Sequence, residues 1–168
     1  MSDVFLSQDF IGKPIIDKTT GQIIAKVVDI LIDPNIVQVA ALVTSKGNLF
    51  ERQIDAIPGH EVQVWGRDAI LVGRTDVISN VEELAGSGTW LSVSDQVKGY
   101  EVVSSLGTRI GELNDVAVDA KGQLIAYDLG QVLIEGSLAE SKRIPADITQ
   151  SFGKDVLIVT YAPDTVST

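Results

Sequence analysis

Apolar positions along the chain fall into short runs, and glycine, aspartate, asparagine and proline separate them. Val62-Gln63-Val64-Trp65 alternates apolar and polar residues, the pattern of a strand with one wet face. Residues 39–43 and 156–159 are continuously apolar, as expected of strands covered on both faces. Turn residues fix the order of the strands. Thr19-Thr20-Gly21 precedes a strand over 23–32, Asp33-Pro34-Asn35 leads into 37–43, and Ser45-Lys46-Gly47-Asn48 precedes Leu49-Phe50. Ile57-Pro58 and Gly66-Arg67-Asp68 flank strands over 61–64 and 69–72. A short helical turn opens the pattern, with Ser7 or Ser94 accepting a backbone N–H and Gly12 or Gly99 ending it.

The same pattern occurs twice. SQDFIGKPII at 7–16 lines up with SDQVKGYEVV at 94–103, at an offset of 87. GQIIAKVVDILID at 21–33 lines up with GTRIGELNDVAVD at 107–119, now at 86, and Ala40/Ala126 keep that spacing. Ile57/Ile144, Pro58/Pro145, Gly66/Gly153, Asp68/Asp155 and Val72/Val159 return to 87. Apolar strands could match by chance, but turn glycines and aspartates matching in one order point to internal duplication. The expected fold is therefore all-β: two tandem small β-barrels, domain 1 over 1–80, a linker over 81–89 and domain 2 over 90–168. About six short strands suit a closed barrel, which leaves no sticky edge. Gly86-Ser87-Gly88 reads as a flexible joint.

Composition narrows the function. The chain has 168 residues, 45% hydrophobic and 21% charged, with a formal net charge of −10. That balance repels phosphate-rich partners, so nucleic acid is not expected to bind, whereas a protein partner with a basic surface is. Without cysteine, disulfide scaffolds, cysteine nucleophiles and Cys-based zinc sites are excluded. No apolar run is long enough for membrane insertion. The amino terminus lacks a secretory signal, so the expected compartment is the cytoplasm.

Ile110-Gly111-Glu112-Leu113-Asn114-Asp115-Val116-Ala117-Val118-Asp119, placed after a helical turn and before a late Ile-Pro and Gly-x-Asp, resembles the PRC-barrel domain family. Residues 24–33 resemble it too, with Ala25 where the pattern has its second glycine. The family's small barrel is shared by the H subunit of purple-bacterial photosynthetic reaction centres and by a ribosome maturation factor. The resemblance implies an adaptor that docks onto other proteins, with photosynthetic or ribosomal partners by analogy only. It implies no shared reaction and no cofactor.

Few residues carry chemistry. Asp29/Asp33 and Asp115/Asp119 are carboxylates four apart, and on an unbroken strand each pair would share a face. One reading is a divalent-cation site, for which two carboxylates supply few ligands. The other is turn capping by Asp33 and Asp119, with Asp29 and Asp115 satisfying a neighbouring loop. His60 is the only histidine and has no triad or ligand spacing around it. No nucleophile elbow, phosphate loop or dinucleotide glycine pattern is present, so no enzyme is expected. Phe50, Trp65, Trp90, Leu133 and Ile134 are the candidates for partner docking, since large apolar anchors dominate interfaces. Trp65 and Trp90 have a second reading as fillers of the barrels or of the seam between them. The leading expectation is a non-catalytic adaptor or assembly factor. The alternatives are a small-molecule or cation-binding module using the Asp pairs or the inter-barrel groove, and a homo-oligomer.

Overall fold

The structure, a computed structural model, describes residues 4–161. The first half runs β1 (Val4–Leu6), α1 (Ser7–Phe10), β2 (Pro14–Asp17), β3 (Gln22–Lys26), β4 (Asp29–Asp33), β5 (Gln38–Ser45), β6 (Asp55–Pro58), β7 (Val62–Trp65), β8 (Ile70–Val72) and β9 (Ser79–Asn80). The second runs β10 (Leu91–Ser92), β11 (Glu101–Ser104), β12 (Arg109–Asp119), β13 (Leu124–Val132), α2 (Ser137–Ser141), β14 (Arg143–Pro145), β15 (Thr149–Phe152) and β16 (Val156–Val159). With 48% strand and 16% helix, the fold is mostly β. Among the described residues no helix is long and apolar enough to cross a membrane.

The second half is one sheet in the order β14-β13-β12-β11-β16-β15. The first half is two sheets, β3-β2-β8-β7 and β10-β4-β5-β6-β9. Its strand expected over 23–32 is broken at Val27-Val28, where β12 runs unbroken. Read across that break, the order of pairing is the same in both halves, including the parallel pairs β2–β8 and β11–β16. The expected closed barrels are not formed. Among the described residues no ladder joins β6 to β7 or β14 to β15. Single helical turns, Gly59–Glu61 and Ala146–Ile148, occupy those corners and keep their hydrogen bonds local.

A glycine accounts for the broken strand. A Cβ at Gly111 would overlap the Gln131 carbonyl, so only glycine lets β13 run on beside the start of β12. The matching residue in the first half is Ala25, and there β5 ends at Ser45. The registers also adjust the repeat. Leu31 faces Ala41 and Ala117 faces Ala126, so Ala126 corresponds to Ala41 and not to Ala40. The turn after β4 is one residue longer, closing Asp33 onto Gln38, whereas Asp119 N–H reaches back to the Gln123 carbonyl.

The halves exchange their first strands. β1 pairs with β12, Phe5 opposite Val118, and β10 pairs with β4, Ser92 opposite Leu31. One apolar core runs through both halves, with Phe10, Ile15 and Trp65 from the first and Val97, Ile110 and Tyr127 from the second. Each fully buried side chain of this size contributes about 2 kcal/mol, so the seam is held by core packing. Residues 81–89, expected to be a linker with a flexible joint at Gly86-Ser87-Gly88, fold onto the first half. Asn80 accepts the Glu82 N–H at 3.0 Å, and Val81, Leu84 and Trp90 cover Leu31, Ala41, Val43 and Ala56.

Candidate functional site

Two buried carboxylates stitch the exchange together. Asp115, 2% exposed, accepts the Ser7 hydroxyl, the Gln8 N–H at 3.1 Å and its neighbour Val116 N–H at 2.7 Å. It therefore caps the first turn of α1, in the other half. Asp29, 1% exposed, does the reciprocal work: it accepts the Ser92 hydroxyl, Ser94 N–H at 3.2 Å and Ile30 N–H at 2.7 Å. The helix caps thus differ from expectation. Ser7 donates to Asp115, and Ser92, not Ser94, accepts the Asp95 N–H of the turn at 93–97, at 3.1 Å. Gly12 and Gly99 do end these turns, at φ of 85° and 91°.

The two caps are charged differently. Lys46 Nζ lies 3.1 Å from Asp29 and 2.9 Å from Asp95. Among the described residues no ion pair involves Asp115. Burial pushes the Asp29 carboxyl up, but hydrogen bonds from Ser92, Ile30, Ser94 and Lys46 outweigh it and hold the pKa below the ordinary 3.8. Desolvation likewise opposes the charge on Lys46, and Asp95 and Asp29 together raise its pKa above 10.5. Both carboxylates line a cavity of about 110 Å³ with Ser7, Gln8, Ser94 and Lys98.

Asp33 and Asp119 are turn caps. Asp33 accepts the Asn35 N–H at 2.9 Å, and Asp119 accepts those of Lys121 at 2.8 Å and Gln123 at 3.0 Å. Each pair of carboxylates four apart is separated by an irregularity in its ladder. Register shifts between Leu31 and Ile32 and between Ala117 and Val118 break the alternation that would have put them on one face. Among the described residues no three His, Cys, Asp or Glu are grouped as metal ligands. His60 is exposed and lies 3.7 Å from Glu61.

Of the docking candidates, Trp65 is placed otherwise than a surface role requires. At 6% exposure it packs edge-on to Phe10, 5.7 Å between centroids, and its indole fills the space beside Gly122 of the other half. Trp90 seals the outer face of β4–β6 and is half-buried. Ile134 packs on the core, and Leu133 is 45% exposed. Tyr100, Tyr127 and Phe152 stack in the second half, and burial pushes the Tyr127 hydroxyl up to about 12.

Phe50 is 95% exposed and Leu49 beside it 91%, the most exposed large apolar residues described. The loop that carries them is preset. Gly47 turns the chain at φ 77°, Asn48 N–H donates to the Glu51 carbonyl at 2.6 Å, and the Asn48 side chain accepts the N–H groups of Phe50 and Glu51, both at 2.8 Å. A Cβ at Gly47 would overlap the Glu51 carbonyl, so this tight loop requires glycine there. Two bulky apolar side chains held side by side in water on an ordered loop form the kind of exposed apolar patch that marks interaction sites. Leu49 itself was absent from the sequence candidates; the turn signal just before it was the available clue.

No curated protein matches the chain. Residues 2–78, through β8, match the family model of the PRC-barrel domain, which supports a mostly β fold with a PRC-barrel domain in its first half.

Proposed function

We propose that the chain is a non-catalytic protein–protein adaptor or assembly factor, built from two PRC-barrel-like halves that arose by duplication. The order of strand pairing, the same in both halves, supports the second copy. The observation that carries the adaptor reading is the Leu49–Phe50 pair, almost fully exposed on a preset loop. A docking anchor of this kind loses little conformational entropy when it enters a partner's pocket. The net charge of −10 favours a partner with a basic face and faster association at low salt. The test is affinity capture from the native host with the wild-type chain and with a Leu49→Ser, Phe50→Ser variant. A protein retained by the first and lost by the second is expected. Identical captures from the two, with the variant's melting temperature unchanged, would remove the reading.

A further inference from the structure

The halves differ at one sheet edge. In the second half β13 continues to Val132 beside the start of β12, with Gly111 opposite Val132 and Glu112 opposite Gln131. Leu133 N–H then donates to the Ile110 carbonyl at 2.8 Å. In the first half the matching strand is β3, which ends its sheet: β2 pairs on one side, and among the described residues no strand pairs on the other. The chain that would have filled this place is turned away by Gly47, and the Ala25 methyl stands where Gly111 admits a carbonyl. At the β7 and β15 ends the halves agree, both closing their sheets' order unpaired, while at the far end β6 is covered by β9 and β14 has no second partner among the described residues. Apolar side chains border the vacant edge. Ile23 on β3 is 61% exposed, and Val28, two residues past the end of β3, is 41% exposed.

We propose that the outer edge of β3 takes up an extended segment of a partner protein as an added antiparallel strand, with the exposed side chain of Ile23 meeting its apolar side chains. Unpaired N–H and C=O groups in a row are a template for such pairing. Strand addition draws affinity from the main chain and specificity from alternate side chains. The occupant is argued from the second half, where the same position is held by a strand, Leu129 to Val132. Ala25 excludes only the close coiled approach of the tethered chain; a free segment can settle in an ordinary register. The inference rests on the adaptor reading and names the form of its partner.

The test uses the full chain and the peptide Asp-Leu-Gly-Gln-Val-Leu-Ile, a copy of residues 128–134. Amide hydrogen exchange is followed residue by residue. With peptide, the amides of Ile24 and Lys26, counterparts of Ile110 and Glu112, are expected to slow about tenfold while those of β7 do not. Ile23→Lys is expected to weaken peptide binding about fivefold, because a charge on an edge opposes pairing, and to leave the melting temperature unchanged. No protection at millimolar peptide, or protection spread evenly over all edges, overturns the proposal. So does concentration-dependent protection without peptide, which would assign the edge to a second copy of this chain. If the peptide fails while the Leu49→Ser, Phe50→Ser variant still loses a captured protein, the edge falls and the adaptor reading stands. If the peptide binds and the captures are identical, the edge stands and the loop's docking role falls.

Discussion

The loop after the long hairpin is built in opposite ways in the two halves. In the second, β13 extends to Val132, a one-turn helix follows, and Leu138 on that helix is folded back to 3% exposure. In the first, β5 stops two positions earlier in the repeat, no helix forms, and Leu49 and Phe50 face water. The contrast is between apolar side chains of the same connection: in one half Leu138 is buried in the core, in the other Leu49 and Phe50 stay in water. The buried carboxylates differ as well: Asp29 pairs with Lys46 of the first-half loop, and among the described residues Asp115 has no ion pair.

The largest effects should come from the two caps. Asp29→Ala leaves a hydroxyl and two N–H groups without their acceptor and takes from Lys46 one of its two carboxylates, Asp95 remaining at 2.9 Å. The stranded buried donors, with a smaller share from the solvent-screened pair, should cost about 3 kcal/mol, about 9 °C in melting temperature for a chain of this size. Asp115→Ala strips the same kinds of neutral donor but breaks no ion pair, and should cost about 2 kcal/mol. Urea melts of both variants measure the difference. Equal losses would mean that Lys46 adds nothing to the seam.

The loops themselves come next. Leu138→Ala should destabilise by about 3 kcal/mol, because it opens a cavity in a closed core. Leu49→Ala and Phe50→Ala should each stay within about 0.5 kcal/mol of wild type, as surface substitutions do. A large loss at Phe50 in the isolated chain would show that this loop packs on its own half in solution.

How much of this was legible depends on how far apart in sequence the interacting groups lie. Turn caps at Asp33 and Asp119 bond N–H groups two to four residues away, and turn chemistry announces them. The matched order of turn residues was legible in the sequence, and the order of strand pairing is the same in both halves. The caps at Asp29 and Asp115 were legible only as carboxylates that serve some neighbouring loop, and which loop was not, since their donors lie 63 and 107 residues distant. Strand exchange was hidden for the same reason: nothing local in Val4–Leu6 says which half it joins. The break in the first-half strand did leave a trace, alanine where the family pattern has glycine, but its meaning depends on the Gln131 carbonyl opposite Gly111. Barrel closure was overestimated because strand count alone says nothing of corners filled by a helical turn.

Acid and alkali should separate the two caps by a smaller margin. The Asp29 pKa is lower folded than unfolded, so its contribution is present above the unfolded value, about 3.9, and is lost as pH falls through the folded one. Lys46 has its pKa raised, so its contribution is present below its unfolded value, about 10.4, and is lost as pH rises through the folded one. Stability measured against pH should fall at both ends, and Asp29→Asn should flatten the acid limb. An acid limb unchanged in that variant would assign the loss to other carboxylates.

Lys46→Gln should have the smallest effect and distinguish most finely between the halves. The side chain is 37% exposed, so solvent screens its pairs and the loss should be below about 1 kcal/mol, shrinking further in salt. Asp29 would keep its neutral donors, Ser92, Ser94 and Ile30, and so come to resemble Asp115. The consequence of interest is in the loop. Lys46 anchors the strand end from which Leu49 and Phe50 project, through Asp29 on its own half and Asp95 on the other. Amide exchange over 45–54 should therefore quicken in Lys46→Gln while the core strands stay unchanged. If it does not, the Asn48 bonds hold the loop unaided, and the lysine is there only to neutralise a carboxylate that its counterpart in the second half manages without.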